Sequence, residues 1–179
     1  MSEPSIDTKY LEMFPNWLRT LGDDARTMAK VVDSDAPEAT RRYAAAGLNY
    51  IFKSLDLIPD GVDDLGFCDD AFVLRVAASF AVSESPDAKA GPLGTLAEDA
   101  DDVKAFLGDV YPALETYVKG LHKGAARGRT VEDILTNAEA RSAFLHEVSA
   151  WADGYQTPSF TRDPKTLIKL RSFLNAKLG

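Results

Sequence analysis

The sequence predicts an all-α protein, a bundle of about seven or eight helices that forms a single domain over residues 1–179. Apolar residues recur at intervals of three and four along nearly every segment, which is the period of an amphipathic helix. The sequence contains no alternating β-branched runs of the kind that form strands. The 179 residues, 45% hydrophobic and 27% charged, are enough to bury a substantial core.

Two helices are predicted in the first 32 residues. The first covers residues 6–21, and Pro15 is expected to kink or split it because proline lacks the N–H of a helix interior. Gly22 ends this helix, and one of the two aspartates that follow it caps a second helix to about Val32.

The third and fourth helices flank an aspartate-rich segment. The third opens near Pro37, which suits a first helical turn, and continues through Leu55. It must end by about Leu57 because Pro59 restricts the residue before it to non-helical geometry. The fourth covers about residues 70–84, with Asp69 as its N-cap and an apolar stripe on one face.

The middle of the chain contains its clearest loop. Residues 83–94 include two prolines and two glycines, which indicate irregular structure and the one plausible joint between subdomains. Residues 95–121 are predicted to be helical, and Pro112 is expected to restart the helix within this stretch.

The last third of the chain is predicted to hold the remaining helices. Thr130 and Asp133 have the spacing of a capping box for a helix from Val131, with a break near Asn137 and an end by Gly154. The final helix begins at Pro164 and carries an apolar stripe of leucines at positions 167, 170, 174 and 178.

Residues 54–71, with the sequence SLDLIPDGVDDLGFCDDA, form the candidate functional segment. They place aspartates among apolar residues, at Asp56, Asp60, Asp63, Asp64, Asp69 and Asp70. Two like charges about 4 Å apart repel by roughly 4 kcal/mol at a near-surface effective dielectric. A cation, basic side chains, helix N-termini or separation in space must therefore offset this repulsion.

This segment and its flanks, Ala44–Val82, resemble the YkvA-type family, a small helical bacterial domain. The family's pattern is an apolar helix, a small residue before Asp-Leu-Ile-Pro-Asp, a spacer with glycine, and an Asp-Asp pair that opens another helix. The matching residues are Ser54, Asp56, Leu57, Ile58, Pro59, Asp60, Gly66, Asp69 and Asp70. The spacer departs from the pattern, because Gly61, Asp63 and Asp64 stand where a second proline and apolar residues are usual. The resemblance implies a helical fold but no reaction, since the family has no established activity.

In the structural interpretation, the aspartates bond to nearby backbone. Asp69 and Asp70 favour a helix N-terminus, and Asp60 caps a short turn. Asp56 lies where a helix ends and the macrodipole disfavours an anion, so it needs a partner of its own. The partners considered are the main-chain N–H groups of Ile58 or Asp60 and the cations Arg41, Arg42, Lys53 and Arg75.

In the functional interpretation, Asp56, Asp60, Asp69 and Asp70 hold a divalent cation, Mg²⁺ or Ca²⁺. These hard cations prefer carboxylate oxygens at about 2.0–2.6 Å. Such a site suits a metal-dependent hydrolase of a phosphorylated small molecule.

The charge distribution bears on possible partners. The net charge of −8 argues against nucleic acid, because phosphate binding needs a concentrated positive surface. The tail from Thr161 is locally basic, with Arg162, Lys165, Lys169, Arg171 and Lys177 against Asp163 alone. This basic helix either docks on the acidic body or contacts an anionic membrane. Many YkvA-type relatives have longer apolar segments that suggest membrane association, and this chain lacks them.

The sequence indicates a cytoplasmic protein. Cys68 is the only cysteine, so a reducing compartment is expected, and its thiol is interpreted as packed in the core. Neither a secretory signal nor a run long enough to span the bilayer is evident.

The favoured function is a non-catalytic interaction or regulatory module without a cofactor. No nucleophile–base set is recognisable, whereas amphipathic helices and aromatic residues are plentiful. The expected partner is another protein or a second copy, bound through an exposed apolar groove. The sequence is also compatible with the metal-binding and membrane-associated alternatives.

Overall fold

The computed structural model describes residues 3–52, 57–58 and 65–178, and residues 3–7 by their backbone alone. This part of the chain is all-α apart from one short hairpin, which confirms the predicted fold class. Its helices are α1 (Glu3–Val32), α2 (Glu38–Ile51), α3 (Cys68–Glu84), α4 (Pro92–Leu107), α5 (Tyr111–Lys119), α6 (Val131–Thr136), α7 (Ala138–Gly154) and α8 (Pro164–Leu178). Short 3₁₀ turns occur at Pro86–Ala90, Gly108–Val110 and Leu121–Lys123. Among these helices, none combines the length and the apolar character needed to cross a membrane.

The central element of the bundle is α3. Every side chain from Cys68 to Ala78 is buried, so the predicted one-sided stripe is wrong. The reason is that α3 packs against α1, α2, α4 and α5, which cover it on all sides. Its contact with α2 is close, because a Cβ added to Gly47 would lie 2.9 Å from the Cβ of Ala77.

A single continuous helix, α1, replaces the two helices predicted before residue 32. Pro15 and Gly22 both lie inside it. Its buried side chains continue at intervals of three and four past both positions: Tyr10, Phe14, Trp17, Leu18, Leu21, Ala25, Met28 and Val32. Burial of a Leu-sized side chain contributes about 1.5–3 kcal/mol, so this stripe outweighs costs of about 3 kcal/mol for proline and about 1 kcal/mol for glycine. Gly22 faces α7, where an added Cβ would lie 3.4 Å from the carbonyl oxygen of Ala152.

The boundaries of α2, α4 and α5 differ modestly from the prediction. The α2 helix ends at Ile51, earlier than expected, and α4 begins at Pro92 rather than at Thr95. Gly108, with φ of 57°, ends α4 in a conformation that suits glycine. Pro112 lies in the first turn of α5, which confirms the predicted restart.

The predicted helix boundaries after residue 130 are confirmed. Thr130 and Asp133 form the capping box of α6. The side chain of Asn137 caps α7, which ends at Gly154, and α8 begins at Pro164.

A hairpin that the sequence did not predict precedes α6. Its strands, β1 (Ala125–Ala126) and β2 (Arg129–Thr130), are antiparallel. The two turn residues, Arg127 and Gly128, have φ of 50° and 79°, which is the geometry of a type I′ turn. Strands of two residues carry too little alternation to be recognised from the sequence.

The α8 helix docks on the body of the protein. Leu167, Leu170 and Leu174 are buried, and Arg171 Nε donates a hydrogen bond of 3.2 Å to the main-chain oxygen of Phe106. Lys165, Lys169 and Lys177 are exposed on the opposite side. The membrane alternative requires this leucine stripe to be exposed, and the structure buries it.

Candidate functional site

The first turn of α3 contains both described members of the aspartate cluster. Phe67 is the N-cap residue, in the left-handed conformation with φ of 69°, so the helix begins two residues earlier than predicted. Asp69 and Asp70 therefore lie inside the first turn and are buried. The prediction that Asp69 is the N-cap is wrong, because the turn at Phe67 already starts the helix. Both carboxylates still lie at the positive end of the helix dipole.

Asp69 joins two helices and the chain between them. The hydroxyl of Tyr50, at the end of α2, donates a hydrogen bond of 2.5 Å to Asp69 Oδ2. The same oxygen accepts the main-chain N–H of Ile58 at 3.3 Å. Tyr50 Oη in turn accepts the N–H of Leu57 at 2.6 Å. We call Tyr50, Leu57, Ile58 and Asp69 the Tyr50–Asp69 network.

The surroundings of Tyr50 keep its hydroxyl group protonated. Burial, and then the charge of Asp69, raise the pKa of Tyr50 far above its ordinary value. The hydroxyl therefore remains a hydrogen-bond donor throughout the physiological pH range. Hydrogen bonds to a charged group contribute about 1.5–3 kcal/mol each, so the network stabilises the junction between α2 and α3.

The other predicted members of the site are only partly covered by the structure. Asp56 and Asp60 lie outside the described residues, as do Asp63 and Asp64. The N–H of Ile58, which was considered as a partner for Asp56, donates to Asp69. Of the four aspartates predicted to form the site, the structure therefore describes Asp69 and Asp70, which are adjacent in the first turn of α3.

The described cations considered as partners of Asp56 form other contacts. Arg41 Nε donates to the main-chain oxygen of Val32 at 3.0 Å. Arg42 pairs with Glu38 at 2.7 Å and with Glu132. Arg41 therefore connects α2 to the end of α1, and Arg42 connects α2 to α6.

The third of these cations, Arg75, is the centre of a buried ion cluster. Its Nη2 lies 3.1 Å from Asp24 Oδ2, and its Nε lies 3.1 Å from Asp99 Oδ2. The side chains are 2%, 14% and 27% exposed for Arg75, Asp24 and Asp99. Arg75 also donates to the main-chain oxygen of Ala71 at 3.2 Å and lies 4.2 Å from the ring centroid of Trp17. The cluster connects α1, α3 and α4.

Two carboxylates share one guanidinium in this cluster. Burial raises the pKa of Asp24 and that of Asp99 above their ordinary value, although Arg75 opposes both shifts. Sequence reasoning missed the cluster, because it treated Asp24 as a candidate helix cap and considered Arg75 as a partner for Asp56. The available signal was Arg75 itself, a cation inside an otherwise apolar helix, which is rarely buried without a carboxylate partner.

Within the described ranges, no group of three or more histidine, cysteine, aspartate or glutamate side chains could hold a metal ion. Cys68 is buried in the first turn of α3, consistent with a packed thiol. Comparison with known proteins found no matching family model, curated protein or solved structure. The function is therefore inferred from the contacts of the chain itself.

Proposed function

We propose that this chain is a non-catalytic, cytoplasmic helical module that acts by binding a partner protein. The observation that supports this proposal is the structural use of Asp69, whose buried carboxylate accepts hydrogen bonds from Tyr50 and from the main chain. Asp69, one of the four aspartates considered as cation ligands, connects the end of α2 to the start of α3.

The Arg75 cluster supports the same proposal. A buried arginine is a common anchor for a substrate phosphate or carboxylate. Arg75 is already engaged by Asp24, Asp99 and a main-chain oxygen. The cation in the core thus serves to connect helices, and a ligand would have to displace those contacts to reach it.

The proposal includes membership of the YkvA-type family. The Asp-Leu-Ile-Pro-Asp string from Asp56 to Asp60 and the pair at Asp69 and Asp70 support it. On this proposal Asp69 connects two core helices, and function resides on the outer surface.

The outer surface favours a polar contact over the apolar groove expected from the sequence. Among the described residues, Ile168 is the large hydrophobic side chain that is clearly exposed, at 60%. Self-association through an apolar face therefore has little described surface to use. Copies that each carry a net charge of −8 also repel one another, so we expect a monomer in light scattering.

Isothermal titration calorimetry with MgCl₂, MnCl₂ and CaCl₂ tests the non-catalytic part of the proposal. We expect no saturable heat with the wild-type protein. The matched variants are Asp69→Asn, in the network, and Asp153→Asn, whose carboxylate is on the surface. Saturable heat that Asp69→Asn removes and Asp153→Asn retains would identify a metal site and overturn the proposal.

A further inference from the structure

An open groove of about 760 Å³ runs along the first half of α1. One wall consists of α1 side chains spaced three or four residues apart. The other wall is the irregular segment between α7 and α8. The residues that matter for its chemistry are Lys9, Glu12, Met13, Pro15, Arg19 and Arg162. We call this the α1 groove.

The arginines of the chain divide into two groups. Eight of the ten contact a carboxylate or a main-chain carbonyl within the protein: Arg26, Arg41, Arg42, Arg75, Arg127, Arg129, Arg141 and Arg171. The other two, Arg19 and Arg162, have no such contact among the described residues, and both line the α1 groove. Arg19 bonds to the side-chain oxygen of Asn16, which is neutral and leaves the charge uncompensated. The α1 groove therefore brings together two guanidinium groups that no carboxylate of the described residues neutralises.

The α1 groove is positively charged, whereas the protein as a whole is negatively charged. Lys9, Arg19 and Arg162 face a single lining acid, Glu12, in a chain whose net charge is −8. Lys9 also lies 2.8 Å from Asp102, and because Lys9 itself is 52% exposed, its ammonium can reach another carboxylate at little cost. A negatively charged ligand is therefore attracted to this groove, whereas the net charge of the protein as a whole repels it.

We infer that the α1 groove binds an acidic segment of a partner protein in an extended conformation; this inference rests on the proposed function. From Lys9 to Arg19 the stripe is about 15 Å long, which matches about five residues of extended chain. The planar fork of arginine suits carboxylates in bidentate geometry. Met13 and Pro15 lie between the charged ends and offer apolar contact to the peptide.

Other anions fit the groove less well. A compact phosphate group can contact only part of a stripe that is about 15 Å long. Nucleic acid requires an extended positive surface, and the net charge of −8 disfavours binding of its phosphate backbone. An extended peptide can place its acids at the arginines and its neutral residues beside Glu12.

Fluorescence anisotropy with a labelled hexaglutamate peptide tests the inference, with labelled hexaglutamine as the neutral probe. We expect saturable binding of hexaglutamate at low ionic strength and none of hexaglutamine. The variant Arg19→Glu/Arg162→Glu should raise the Kd at least about tenfold, because it replaces two attractive contacts with repulsive ones. The control Lys89→Glu/Lys123→Glu makes the same change in net charge at exposed sites outside the groove.

Three results would overturn the inference. They are the absence of hexaglutamate binding, an equal loss in both double variants, and displacement of the peptide by inorganic phosphate at concentrations where chloride of equal ionic strength has no effect. The last result would identify a phosphate ligand. Failure here is distinguishable from failure of the proposed function, because a protein that binds neither metal nor hexaglutamate still fits a non-catalytic module with another binding surface.

Discussion

Replacement of Arg75 by methionine provides the strongest test of how the core is held together. Methionine retains much of the aliphatic volume but removes the guanidinium that Asp24 and Asp99 share. Removal of one partner of a buried ion pair costs about 3–5 kcal/mol, mainly because the remaining charge is left uncompensated. Asp24 and Asp99 are 14% and 27% exposed, so water can partly solvate them. We therefore expect a loss near 3 kcal/mol, the lower end of that range.

A loss of this size is readily measured by urea denaturation and by thermal unfolding. In a domain of 150–250 residues, 1 kcal/mol corresponds to about 2–4 °C, so the melting temperature of Arg75→Met should fall by about 6–12 °C. The matched control is Arg42→Met, which breaks a more exposed pair with Glu38 and Glu132 and should cost less than about 1 kcal/mol.

The triple variant Arg75→Met/Asp24→Asn/Asp99→Asn separates charge from packing. If uncompensated carboxylates cause the loss, this variant should recover at least about half of it, because no buried charge remains. Arg75→Met should also lose less stability relative to wild type at acidic pH, where its carboxylates bind protons. The reasoning is refuted if Arg75→Met is no less stable than Arg42→Met, or if the triple variant is as unstable as the single one.

Two helical glycines should respond in opposite directions to alanine, because alanine favours a helix by about 1 kcal/mol at both sites but clashes at only one. Gly47→Ala should lose about 1–2 kcal/mol by urea denaturation, since its Cβ would lie 2.9 Å from Ala77, whereas Gly22→Ala should gain up to about 1 kcal/mol. Thr130→Ala removes a capping-box contact and should cost about 1 kcal/mol in the same assay. Asp24→Asn should gain stability relative to wild type as the pH rises from 3.8 through the raised native pKa, because over that window the folded wild type binds protons more tightly than the unfolded chain. Each is contradicted by a change of opposite sign.

Local signals in the sequence predicted a large part of the fold. The capping box at Thr130, the restart at Pro112 and the start of α8 at Pro164 all depend on a few adjacent residues. Such features are set by backbone chemistry within one turn of a helix, so they are visible without knowledge of the tertiary contacts.

The continuity of α1 could not be predicted in the same way. Pro15 and Gly22 are helix breakers by intrinsic propensity, and only burial against the rest of the bundle outweighs that propensity. The buried stripe was present in the sequence, but which of the two effects prevails depends on packing partners far along the chain. The close approach of α7 to Gly22 is one such contact.

The candidate site shows the same limit. The aspartates were identified from their spacing, whereas their partners were not. Asp69 bonds to Tyr50, nineteen positions earlier, and Arg75 pairs with Asp24 and Asp99 at separations of 51 and 24. The choice among several available cations and hydroxyl groups is made by the packing of α1, α2, α3 and α4, which no single segment encodes.

A double-mutant cycle between Tyr50→Phe and Asp69→Ala most directly tests the claim that Asp69 is structural. The free energies of unfolding of the wild type, both single variants and the double variant give the coupling between the two side chains. We predict a coupling of about 1.5–3 kcal/mol, the range for a hydrogen bond to a charged group, in buffer with or without divalent cations. A coupling near zero, or one that appears only when Mg²⁺ or Ca²⁺ is added, would contradict the account.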